Sequence, residues 1–81
     1  MVNEHPHRAA RAAYVKKLVD DDDRSARWLA TKVGISNSAM SERLRGTLPF
    51  LADELELIAA ALKIDAGEFY RGYRLAGTDE K

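Results

Sequence analysis

Apolar residues recur at helical intervals along most of this chain. Behind Pro6 and the run Arg8-Ala9-Ala10-Arg11-Ala12-Ala13, Ala12, Val15, Leu18 and Val19 follow at spacings of three and four. Pro suits a first helical position and Ala favours helix, so a first helix is expected from about Pro6. It should stop near Asp20 to Asp23, where four adjacent carboxylates repel one another and oppose the negative end of the helix dipole. Ser25 is a plausible N-cap for a second, short helix through Val33, with Trp28, Leu29 and Val33 as its apolar surface and Gly34 as a left-handed closing residue. Ser36 can cap a third helix from Asn37 to Arg45, ended by Gly46. The clearest stripe is Leu55, Ile58, Ala59 and Leu62, at i, i+3, i+4 and i+7, which predicts a fourth helix. Asp65-Ala66-Gly67-Glu68 has the form of a capping box ahead of Phe69, Tyr70, Tyr73 and Leu75, and so predicts a short fifth helix. No window shows convincing period-two alternation bounded by turn signals, so the expected class is all-α with five helices.

Length bounds what these helices can build. Eighty-one residues make one small domain with no internal repeat. The ends carry few anchoring apolar residues, so 1–7 and 75–81 are read as tails around a domain at 8–74. A composition of 46% hydrophobic and 32% charged residues argues for a folded chain rather than a disordered one. With no cysteine there is no disulfide framework and no thiolate chemistry, so packing or oligomerisation must stabilise the small core. The N-terminus lacks the apolar segment of a signal peptide and no apolar run is long enough to span a bilayer, so a cytoplasmic protein with no membrane partner is expected.

The link Gly34-Ile35-Ser36 leaves room only for a tight turn, so the second and third helices form a helix-turn-helix. Within it, Ala30 is small enough for a close helix crossing, Gly34 permits positive φ, and Ile35 and Met40 wedge the two helices together. The segment from Leu29 to Gly46, with its Leu-Ala-x-x-x-Gly-Ile-Ser core, resembles the helix-turn-helix of the lambda-repressor and Cro superfamily, also called Xre-type regulators. Asn37-Ser38-Ala39-Met40 followed by Leu44 is especially Cro-like, and the resemblance runs over roughly residues 8–70. It implies a five-helix lambda-repressor-like DNA-binding domain and a phage-type or bacterial transcriptional regulator.

Projecting the third helix at about 100° per residue separates its roles from the residues alone. Asn37, Ser38, Ser41, Glu42 and Arg45 share one polar arc, while Ala39, Met40, Arg43 and Leu44 occupy the other. The first arc holds the side chains that read base edges in a major groove: Asn for adenine, Arg for guanine, Glu for the cytosine amino group, Ser for either partner. In the resembled family the corresponding positions include base-contacting residues. Taken without the turn, the same arc reads as an ordinary solvated face. Glu42 is repelled by phosphate unless it meets a cytosine amino group or an arginine, which suits it to exclude wrong sequences. Arg43 falls on the inward arc, where the family usually has an apolar or small residue. It is read either as half of a structural ion pair or as a phosphate contact.

Ser25, Arg27, Lys32 and Thr47, with Arg43, are the candidates for holding the DNA backbone, Ser25 together with the free N–H groups of the second helix. The family often has Gln at the first residue of that helix, where this chain has Ala26, so that contact is lost or moved to a neighbour. Trp28 is atypical there and is expected to pack against the first or fourth helix.

Net charge appears at first to argue against a polyanion partner, because 13 Lys plus Arg balance 13 Asp plus Glu. From Arg24 to Thr47, however, Arg24, Arg27, Lys32, Arg43 and Arg45 face one acid, Glu42, a surplus of four positive charges. The acids lie mainly at Asp20 to Asp23 and from Asp53 onward.

Other constellations are weak. His5 and His7 lack companion metal ligands, and the Asp20 to Asp23 run lacks the Gly and distal Glu of an EF-hand. Asp53, Glu54 and Glu56 suit the N-terminal dipole of the fourth helix, and there is no nucleophile–base pair, so neither an enzyme nor a cofactor or small-molecule ligand is expected. Because one short reading helix gives limited affinity, regulators of this kind bind paired half-sites, and Phe69, Tyr70, Tyr73 and Leu75 are the candidate homodimer interface. The expected function is sequence-specific binding of double-stranded operator DNA, blocking or recruiting polymerase. The alternative is an antitoxin-like helical protein that binds another protein through its aromatic residues and DNA only secondarily.

Overall fold

The computed structural model describes residues 6–77, so His5 and most of both expected tails lie outside the described residues. It contains α1 (Pro6–Asp21), α2 (Ala26–Val33), α3 (Asn37–Leu44), α4 (Ala52–Leu62) and α5 (Ala66–Ala76), with no strand among the described residues. The all-α, five-helix expectation holds. The domain boundaries drawn from composition cut through two helices: α1 begins before residue 8, and Leu75 belongs to α5. No helix among the described residues is long and apolar enough to cross a membrane.

The apolar stripes converge on one core. Val15 and Val19 of α1, Leu29, Ala30 and Val33 of α2, Met40 of α3, Leu55, Ile58, Ala59 and Leu62 of α4, and Phe69 and Tyr73 of α5 are all buried there, with Phe50 from the α3–α4 loop. The α2–α3 pair packs on α4 through α2 and on α1 through both helices, while α5 closes the other side against α1 and α4. Gly72 suits that closure, because a Cβ there would collide with the Tyr14 ring unless the ring shifted. Tyr14 Oη donates to the Phe69 carbonyl at 3.2 Å, and its ring lies 5.8 Å from that of Phe69.

Helix ends follow the local chemistry read from the chain, with one difference of cause. Ser25 Oγ accepts the Trp28 N–H at 3.0 Å, Ser36 Oγ accepts that of Ala39 at 3.0 Å, and Asp65 Oδ2 accepts that of Glu68 at 3.0 Å. At the end of α1, the carboxylates do not act by repulsion alone. Lys16 pairs with Asp20 and Lys17 with Asp21, each at 3.0 Å, which keeps both acids inside the helix. The chain leaves at Asp23, in the left-handed region at φ 57°, with the Arg24 N–H on the Val19 carbonyl and the Asp23 N–H on the Asp20 carbonyl.

Candidate nucleic-acid interface

The third helix is held from three sides before its outer face is considered. Ser36 caps its start, Met40 is fully buried beneath it, and Gly46 at φ 83° ends it. In that last turn the Thr47 N–H donates to the Glu42 carbonyl at 3.0 Å and the Gly46 N–H to the Arg43 carbonyl at 3.1 Å. The turn rests on the start of α1: a Cβ at Gly46 would lie 2.9 Å from the Ala9 Cα, and Arg8 Nη1 donates to the Thr47 carbonyl at 3.3 Å. Arg8 and Ala9 were invisible as positioning residues in the sequence, where they read only as helix formers. α3 ends at Leu44, with Arg45 as its C-cap, one residue short of the expected end.

Arg43 is corrected as a DNA-backbone contact. Its Nε donates to Glu54 Oε1 at 2.7 Å and its Nη1 to the Ala39 carbonyl at 3.3 Å, and only 15% of its side chain is exposed. Glu54 Oε1 also accepts the Leu51 N–H at 2.9 Å, so one carboxylate both caps α4 and anchors α3. The inward projection of Arg43 is thereby explained: the guanidinium is spent inside the molecule and does not reach outward to phosphate.

The outward arc is as projected. Asn37, Ser38, Ser41 and Arg45 are exposed and Glu42 is half-buried, while Met40 is buried and Ala39, Arg43 and Leu44 are half-buried behind them. Arg45 Nη2 lies 2.9 Å from Glu42 Oε2, so the two charges of this face form an ion pair with each other. On α2 and its lead-in, Arg24, Ser25, Arg27 and Lys32 are exposed, as is Thr47 beyond α3. The Arg24 guanidinium lies 4.5 Å from the Trp28 ring centroid and the Lys32 ammonium 5.8 Å from it, while Trp28 itself packs against the core. The spacing Arg24, Trp28, Lys32, four residues apart each time, was a readable signal for this stack.

The proposed C-terminal interface is brought together only in part. Phe69 and Tyr73 are 1% and 9% exposed, so they belong to this chain's own core and are withdrawn as contacts to a second copy. Tyr73 is held there by Phe50 and Phe69 and by the Arg11 guanidinium 5.6 Å from its ring. Tyr70 and Leu75 remain on the surface at 52% and 53% exposure. Beside Tyr70, between α4 and α5, runs an open groove of ≈ 330 Å³ that Ala52, Leu55 and Phe69 also line.

No protein-family model matches this sequence, and no curated protein sequence matches it either. A solved structure does: the crystal structure of the clp gene regulator ClgR from C. glutamicum, with a TM-score of 0.75 over 91% of this chain and 96% of that one. The two chains share a fold. At 20% sequence identity the likeness is one of fold.

Proposed function

We propose that this protein is a sequence-specific regulator that binds double-stranded DNA, inserting α3 into the major groove to read an operator half-site, and that it works as a homodimer on paired half-sites. The carrying observation is the contrast across α3. Its inner side is fixed by Met40, the Arg43–Glu54 pair and the Gly46 turn, while its outer side presents Asn37, Ser38, Ser41, Glu42 and Arg45 with nothing apolar among them. A helix of that kind is a rigid rod carrying base-edge donors and acceptors, as direct readout requires. Ser25, Arg27, Lys32 and Thr47 are the proposed backbone contacts, and the fold shared with a gene regulator supports the same reading.

Selection from a randomised duplex pool tests it. The protein should enrich an approximately palindromic motif whose binding weakens steeply as salt rises, and Asn37→Ala should lose preference at one position of each half-site while remaining folded. Failure to enrich any sequence at low salt sinks the proposal.

A further inference from the structure

We propose that Glu42 and Arg45 act as one specificity-determining unit, in which Arg45 donates to a guanine and Glu42 accepts from the amino group of a neighbouring cytosine or adenine while rejecting other bases. The inference rests on the DNA reading of α3 and goes further, because it assigns a base pattern and a direction of discrimination to two side chains.

The pair joins the last turn of α3 to its C-cap, Nη2 to Oε2 at 2.9 Å, with 62% of the Arg45 side chain and 38% of that of Glu42 exposed. Exposed pairs at this spacing add little to stability, so folding gives no strong reason for it. The backbone beneath is fixed, since the Glu42 carbonyl accepts the N–H groups of both Thr47 and Leu48 across the Gly46 turn. Both side chains therefore leave a rigid platform at a set separation.

Chemically, the ion pair leaves most of each group unused. The pair sets Glu42 beside one nitrogen of a five-donor guanidinium, and N–H groups on the other nitrogens can serve the O6 and N7 acceptors of guanine. Its second carboxylate oxygen is an acceptor that suits the N4 amino group of cytosine or the N6 amino group of adenine. Opposite the O4 of thymine, or beside a phosphate, the same oxygen is repelled. The charges cancel, so the outward arc of α3 has no net attraction for phosphate, and non-specific attraction falls mainly to Arg27 and Lys32 on α2, since Arg24 is itself paired with Asp22 at 3.2 Å. Glu42 thus sacrifices general affinity for discrimination, which is the signature of a group that works by excluding wrong partners.

The test measures the full chain on three duplexes at two salt concentrations: its selected motif, that motif with the guanine step replaced by T·A, and a random sequence. Glu42→Gln should bind the random duplex several-fold more tightly and lose roughly tenfold of its preference for the motif. Arg45→Ala should lose a similar factor of preference for guanine at one position of each half-site. Both side chains lie on the surface, and thermal unfolding curves matching the parent confirm that the variants are folded. Two results overturn the inference and leave the DNA reading standing: a Glu42→Gln variant that keeps the parent's preference, or an Arg45→Ala variant that weakens on all three duplexes equally with a salt slope lower by about one. Absence of any sequence preference in the parent overturns both.

Discussion

Arg43 sits on the inward face of a helix whose neighbours there are apolar, and its charge is matched by a carboxylate that already caps the next helix. Truncating it leaves Glu54 buried without its counter-charge, the costly way to break such a pair. Arg43→Ala should destabilise the fold by about 2–3 kcal/mol, below the range for fully buried pairs because part of the guanidinium still meets water. Chemical denaturation measures this, and a midpoint equal to the parent's defeats it. DNA binding adds a second readout: corrected for the folded fraction, the salt slope should not change, whereas loss of a phosphate contact lowers it by about one. The helical projection separated this residue from its neighbours on the outward arc, because backbone periodicity alone decides which way a side chain points. What the sequence could not supply was the partner, since Glu54 lies eleven residues on and is one of three acids near the start of α4. For the same reason Phe69 and Tyr73 resemble surface residues in the sequence: aromatic residues at helical spacing look alike whether they fill the core or cover a surface, and only the placement of α1, α4 and Phe50 around α5 distinguishes them.

At the scale of the helices, turns and caps set how precisely α3 is held. Gly34 and Gly46 both have left-handed φ, at 86° and 83°, yet a Cβ at Gly34 meets nothing within 4 Å while one at Gly46 meets the backbone of Ala9. Gly34→Ala should therefore cost only the conformational penalty, about 1 kcal/mol, and Gly46→Ala distinctly more, since α1 must move as well. Equal unfolding midpoints for the two variants refute this. At the end of α4, Lys63 occupies the same region at φ 60°, so Lys63→Gly should stabilise by about 0.5–1 kcal/mol. The α1–α5 contact makes a different prediction, in pH. Burial raises the Tyr14 hydroxyl above its ordinary 10.0, with the Glu68 carboxylate adding to the effect. Burial also raises Tyr73, against the opposing charge of Arg11. A phenol whose pKa is higher folded than unfolded stabilises the fold fully below the unfolded value and loses that contribution as pH climbs past it. Stability should fall above about pH 10, and Tyr14→Phe, which also loses the bond to the Phe69 carbonyl, should show a shallower fall. An identical alkaline slope in that variant counts against the assignment. Caps and turns were legible because Ser, Asp and Gly act on backbone groups a few residues away. The seat of Gly46 on Ala9 was not, because it joins segments far apart in the chain.

Over the whole molecule, zero net charge is a balance between separated regions. The helix-turn-helix carries a surplus of cations, α4 carries Asp53, Glu54 and Glu56 with no Lys or Arg, and the acids from Asp20 to Asp22 are each paired with a Lys or Arg nearby. With the outward arc of α3 neutral and Arg43 paired with Glu54, the positive charges left for phosphate are few, so in the proposed complex one protomer on one half-site would have a small electrostatic contribution to affinity. On the proposed reading, tight and selective binding would depend on joining two protomers, which makes the second contact effectively intramolecular. The surface proposed for that union is the remainder of the expected interface, Tyr70 and Leu75, which α5 carries on its solvent side while Phe69 and Tyr73 face inward. These two residues are more than half exposed, though Tyr70 also stacks on Tyr73 at 6.3 Å, so Tyr70→Ser with Leu75→Ser should cost about 1–2 kcal/mol of monomer stability and leave the fold intact. On a two-site duplex the double variant should lose cooperative occupancy while keeping the parent's affinity for a single half-site. Sedimentation of the parent should show a concentration-dependent dimer, strengthened by DNA, and sedimentation of the variant a monomer. A parent that stays monomeric through the micromolar range, with and without its selected duplex, removes the dimer from the proposal and leaves base reading by α3 to stand alone.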